Sequence, residues 1–144
     1  MRGFDGGKKV KGRKRHILVD MSGRVIGRLV GSAREHDSVA AVELFAQAAN
    51  RDWERLWKVY GDSAYGGERL RREAEKVGLE LEIVKRKEGV KGFVVAAKRW
   101  VVERTIAWLS RCRRLAKDYE HLPSSSEAWI DVASIQRLLR GLAG

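Results

Sequence analysis

A chain of 144 residues is one domain's worth, long enough to bury a core and too short for two. Lys and Arg number 30 against 19 Asp and Glu, a net charge of +11, and the single cysteine, Cys112, excludes a disulfide framework and a thiolate zinc site. No apolar run approaches the ~18 residues of a membrane span, and Met1-Arg2-Gly3-Phe4 leads into charge rather than a signal-peptide core; no membrane partner and a reducing cytoplasm are expected.

The first dozen residues carry Gly3, Gly6, Gly7 and Gly12 among Lys8, Lys9 and Lys11, with no hydrophobic period, and residues 1–15 read as an extended basic arm. His16 to Asp20 is apolar, Met21-Ser22-Gly23-Arg24 has turn chemistry, and Val25 to Val30 is apolar again, which predicts a β-hairpin with Asp20 at its turn. After a polar loop, Asp37 or Ser38 can cap a helix through Val39, Val42, Leu44, Phe45 and Ala48 that ends near Asn50. Trp57 to Asp62 reads as a short strand ending on an acid, the position that faces the ligand crevice of α/β sheets. A charged helix from about Glu68 to Val77, closed by Gly78, and an alternating strand Leu79 to Ile83 follow. Lys85 to Lys91 is a charged loop, and a long helix is centred on Glu103. Beyond the break at Tyr119 to Pro123 a last helix is predicted, with Ser124 and Glu127 as a capping box and Val132, Ile135, Leu139 and Leu142 as its apolar stripe. The order of elements is that of an α/β domain, divided into the arm (1–15), a core (16–122) and a C-terminal helix (123–144).

The positive charge is localised. Residues 1–16 and 98–117 each hold seven basic side chains and one acid, +6 apiece, so the rest of the chain nets −1. Two basic blocks on a neutral body are the footprint of a polyanion binder. In the second block, at roughly 100° per residue, Val101, Thr105, Trp108, Leu109, Cys112 and Leu115 gather into one stripe, while Glu103 points nearly opposite beside Arg99, Ala107, Ser110 and Arg114. A lone acid among arginines either neutralises its neighbours or holds a divalent cation beside a phosphate that they attract. The histidines at 16, 36 and 121 show no metal-ligand spacing, Asp37 is explained as a cap, and Trp57, Trp108 and Trp129 read as packing residues.

Five strings, in order, resemble DDE-type bacterial insertion-sequence transposases of the insertion sequence group five (IS-five-like) type: Gly12-Arg13-Lys14-Arg15-His16-Ile17-Leu18-Val19-Asp20, His36-Asp37, Gly61-Asp62-Ser63-Ala64-Tyr65-Gly66-Gly67, Arg99 to Leu115, and Ser125-Ser126-Glu127-Ala128. The resemblance covers essentially the whole chain and marks it as the carboxyl-terminal part of the catalytic domain. It implies an RNase H-like fold, metal-dependent cleavage and transfer of DNA at insertion-sequence ends, and a site of three carboxylates. By position Asp62 matches the second and Glu103 the third. The first, on a central strand before the basic run, would lie upstream of Met1, so the sheet is expected to lack its middle member. Asp5 and Asp20 are the nearest acids and poor substitutes.

Mg²⁺ or Mn²⁺ is the implied cofactor of the completed domain, with Asp62 and Glu103 as ligands, since hard cations take carboxylate oxygens. Arg99 and Glu103 match the family's Tyr-x2-Arg-x3-Glu-x6-Lys pattern, whereas Ala96 and Ser110 stand at its Tyr and Lys positions, leaving Arg111 or Arg114 to replace the lysine. Lys8, Lys9, Lys11, Arg13, Lys14, Arg15, Arg99, Arg111 and Arg114 are the expected DNA contacts. The implied partners are DNA, an upstream-frame transposase segment and further copies of the chain. The rival reading is a non-catalytic, basic DNA-binding remnant or regulator of the same descent.

Overall fold

The computed structural model describes residues 3–6, 9–50, 55–84 and 100–143. Five strands and four helices follow in the order β1 (Gly3–Asp5), β2 (Val10–Val19), β3 (Val25–Ser32), α1 (Asp37–Ala49), β4 (Lys58–Gly61), α2 (Glu68–Lys76), β5 (Glu80–Ile83), α3 (Trp100–Leu109) and α4 (Pro123–Ala143). The strands form two sheets, an antiparallel β1-β2-β3 and a parallel β4-β5. The mixed α/β character expected from the sequence is present.

The predicted arm is corrected: from Val10 onward it is the first half of β2. Strand alternation explains why so basic a run is ordered, because successive side chains leave opposite faces. Arg13 and Arg15 reach the segment after α3, where Arg13 binds Asp118 and the carbonyls of Glu120 and His121, and Arg15 binds the carbonyls of Leu115 and Lys117. Lys14 and His16 face the other way, Lys14 pairing with Asp37 at 2.9 Å and His16 meeting the Tyr65 hydroxyl at 3.3 Å. Asp20 takes its predicted place, its Oδ1 accepting the backbone N–H groups of Ser22 and Arg24. Gly23 then turns at φ +84°, a conformation that favours glycine.

The core lies on both faces of the hairpin. On one, Leu18 packs with Ala41, Phe45 and Ala48 of α1 against Val59, Leu70, Ala74, Leu79 and Leu81 of the smaller sheet and α2. On the other, Ile17, Val25 and Val30 pack with Leu109, Leu115, Ile130 and Ala133. Between β2 and β4, which do not pair, lies a cavity of about 510 Å³. It is lined by Ile17, Leu18 and Val19 on one side and Lys58, Val59 and Tyr60 on the other, with Val101 and Val102 of α3 closing one wall.

Three further expectations are corrected. The cap of α1 is His36, whose ring nitrogen accepts the Ser38 N–H, while Asp37 sits in the first turn. The long helix stops at Leu109; the N–H groups of Arg111 and Cys112 turn to the carbonyls three residues back, of Trp108 and Leu109, and a short 3-10 turn, Arg113–Leu115, follows. Val132, Ile135, Leu139 and Leu142 of α4 are exposed, and the buried face is Ser126, Ile130 and Ala133. Polar anchors set that rotation. Asp131 pairs with Arg28 at 2.5 Å, and Glu127, instead of closing a capping box, accepts the backbone N–H of Val30 at 2.8 Å. Gln47 of α1 does the same for Arg28 N at 3.0 Å, so two amides on the outer edge of β3 are satisfied by helix side chains.

Glu127→Gln keeps an acceptor oxygen for Val30 N–H and is expected to leave stability nearly unchanged, whereas Glu127→Ala should lose about 1–3 kcal/mol in urea unfolding. An equal loss in both variants would place the role of Glu127 in its charge rather than in this hydrogen bond.

Candidate active site

Asp62 stands where β4 ends. Its backbone is extended, and its Oδ1 accepts the N–H of Ala64 at 2.9 Å, starting the 3-10 turn Ser63–Tyr65 and fixing the carboxylate at the sheet's carboxyl end. The turn is tight because Gly61 leaves room for the Tyr65 side chain, which a Cβ there would meet at 3.0 Å. Tyr65 swings toward β2 and meets His16, which is buried.

Asp62, Tyr65, His16 and Asp37 share one cavity of about 610 Å³ with Arg13, Lys14, Arg15 and Lys117. Ile106 of α3 completes its wall. Burial, with Asp37 and Asp62 contributing negative charge, pushes the Tyr65 hydroxyl up to about 12, so it remains a neutral donor. Tyr65, His16 and Asp37 all lie in the motif strings of the sequence, whereas Lys117 and Asp118 enter the cavity only through folding. The signal for His16 was its register on β2, two residues along the same face from Lys14.

Glu103 is exposed in the first turn of α3 and does not line this cavity; Ile106, three residues on and on the same side of the helix, does. Asp20 is engaged in the hairpin turn and does not join Asp62. Among the described residues no group of three or more His, Cys, Asp and Glu side chains converges on a metal position. With Asp37 paired to Lys14 and one Asp62 oxygen held by Ala64, these donors do not by themselves make a cation site.

The expected DNA contacts divide into two kinds. Arg13 is engaged in a structural clamp, its side chain only 2% exposed beside Asp118. Lys14 and Arg15 are likewise engaged within the protein. Lys9, Lys11, Arg111 and Arg114 are exposed, and Arg114 pairs with Glu120 at 2.6 Å and lies over the Trp129 ring. Lys8 and Arg99 lie outside the described residues.

A carboxylate at a strand end and a buried His–Tyr contact thus share one cavity with four cationic side chains, three of them engaged within the protein. The sequence matches the transposase DDE domain family over residues 1–135, and the chain belongs to that family. It is 33% identical over 115 residues to "Putative transposase for insertion sequence element IS402" of Burkholderia cepacia, a match that covers 76% of this chain and 54% of that protein. The chain thus spans about half the length of the curated relative it matches. No solved structure matches. Among the described residues no helix is long and apolar enough to cross a membrane.

The Tyr65 hydroxyl carries a pH signature. An acid whose pKa is higher folded than unfolded stabilises the fold fully below the unfolded value, near 10, and that contribution is lost as pH rises toward about 12. Ultraviolet titration is expected to show one tyrosine ionising late, and Tyr65→Phe should remove that late phase. A titration left unchanged above pH 10 by Tyr65→Phe would contradict the placement of Tyr65.

Proposed function

We propose that this chain is the carboxyl-terminal part of a transposase catalytic domain that cleaves and joins DNA strands at insertion-sequence ends. In this reading Asp62 and Glu103 are two of its three essential carboxylates. The third comes from an Asp on a strand outside this chain, supplied by an upstream segment, and Mg²⁺ or Mn²⁺ binds only once the set is complete. The observation that carries this reading is the apolar gap between β2 and β4. Two strands face each other across it without pairing, Asp62 ends one of them, and α3, which carries Glu103, forms its wall. A strand laid there would restore the hydrogen bonding of both edges, and an acid on it would approach Asp62. DNA is the substrate and partner, assembly into oligomers accompanies activity, and the cell interior is its place of action. The more specific kinship with the IS-five-like group rests on the ordered motifs.

The direct test joins the chain to an upstream segment bearing an Asp-tipped strand and measures nicking of supercoiled plasmid with Mg²⁺ or Mn²⁺. Cleavage is expected from the fusion and not from the chain alone, and Asp62→Asn or Glu103→Gln should reduce it at least about a hundredfold with circular dichroism unchanged. Cleavage that survives both substitutions would refute the assignment. An intact fold without cleavage in the fusion would favour the DNA-binding regulator.

Stability offers a separate check. Backbone groups left unsatisfied at a buried edge cost on the order of 1–3 kcal/mol each, so residues 1–144 alone should melt broadly and the fusion sharply. A single cooperative transition of the unfused chain, at the temperature of the fusion, would show that the gap needs no occupant.

A further inference from the structure

Beside the C-terminal end of α3 the protein has a second cleft, of about 560 Å³, between the β2–β3 turn, the end of α3 and the second half of α4. Its charge is one-sided: Arg24, Arg111, Arg113, Arg137 and Arg140 line it, and no carboxylate does. We propose that this cleft is a second contact for the backbone of duplex DNA, distinct from the Asp62 cavity; the proposal rests on the transposase reading and extends it.

The arginines differ in how they are held, and the difference suits the role. Arg24 is paired with Asp20 at 3.1 Å. Arg137 is fixed as part of the wall, donating to the Gly23 carbonyl at 2.9 Å while its guanidinium lies 4.2 Å from the Trp108 ring. Trp108 in turn carries Arg104 on its ring, and Arg104 also stacks on Trp100, which builds an alternating Trp–Arg–Trp–Arg pile along α3 and onto α4. Arg111, Arg113 and Arg140 are exposed and make no ion pair or hydrogen bond with any described residue. Three guanidinium groups with open donor forks, on a wall stiffened by stacked rings and with no carboxylate among the described lining residues, concentrate positive charge where a polyanion would be favoured. A phosphodiester backbone presents charges in series, which suits cations contributed by both the α3 end and α4.

The test measures binding of an unrelated 20-base-pair duplex to the full chain by fluorescence anisotropy across a salt series. The triple variant Arg111→Gln, Arg113→Gln, Arg140→Gln is expected to lose at least about tenfold in affinity at 0.1 M salt and to flatten the log–log salt slope by roughly 2–3, as three lost phosphate contacts require. A control triple on α2, Arg69→Gln, Arg71→Gln, Arg72→Gln, removes the same net charge from another exposed surface and should leave the slope at its parent value. Equal flattening in both triples, or none in the first, would overturn the proposal. All six side chains are exposed, so folding is preserved, and circular dichroism verifies it. Failure of the cleft therefore shows in the slope, and failure of the transposase reading shows in plasmid nicking.

Discussion

The β2–β3 hairpin is the constraint on which the rest of the molecule depends, because helices α1, α3 and α4 are each fastened to its backbone by a side-chain hydrogen bond. Gln47 from α1 and Glu127 from α4 take the amides of Arg28 and Val30 on the outer edge, and Thr105 of α3 and Arg137 of α4 both donate to the carbonyl of Gly23 at the turn. A side chain at Gly23 would strike Thr105 Oγ1 at 2.6 Å, so the turn admits this fastening only with glycine in its positive-φ conformation. Such bonds are individually modest, about 1 kcal/mol, but each fixes where along the hairpin a helix may sit, which apolar contact alone would leave free to slide. The rotation of α4 shows which force prevails: its anchors Glu127 and Asp131 turn its apolar stripe outward.

The two basic blocks have equal charge and different fates. In the first, alternation along β2 divides Arg13 and Arg15 from Lys14, and the protein's own carbonyls and carboxylates then take up all three. In the second, the helix stops at Leu109 and the following turns throw Arg111 and Arg113 outward, away from acids. Net charge counts side chains and cannot distinguish an internal clamp from an open fork. The distinction appears only when partners distant in sequence, such as Arg13 and Asp118, meet.

Much of the element order was legible because local signals agreed. The alternation of Leu79 to Ile83, the turn chemistry at Asp20 to Arg24, and Gly78 past the end of α2 each depend on neighbours within a few residues. Asp62 at the tip of a strand was legible for the same reason, and so was the burial of Val101, Thr105 and Leu109 on one stripe of α3. The failures share a cause. Glu127 fits a capping box and Asp37 a cap, yet each has a stronger partner elsewhere, at Val30 and Lys14. His16 carried no spacing signal because Tyr65, its partner, is 49 residues away. The exposure of Val132, Ile135, Leu139 and Leu142 could not be read from α4 itself, since it is decided by the backbone of β3.

The two carboxylates at the centre of the proposed chemistry ride on different bodies. Asp62 belongs to the β4–β5 sheet, whereas Glu103 belongs to a helix whose neighbouring residues, Arg104 and Thr105, grip the carbonyls of Ser22 and Gly23 at the hairpin turn. The two bodies are joined by packing through α1, and no strand ladder spans them. Close-packed side chains resist compression but tolerate small sliding far better than a hydrogen-bonded ladder does. The gauge between Asp62 and Glu103 is thus set by side-chain packing rather than by a strand ladder, and the strand proposed for the gap between β2 and β4 would act as its spacer.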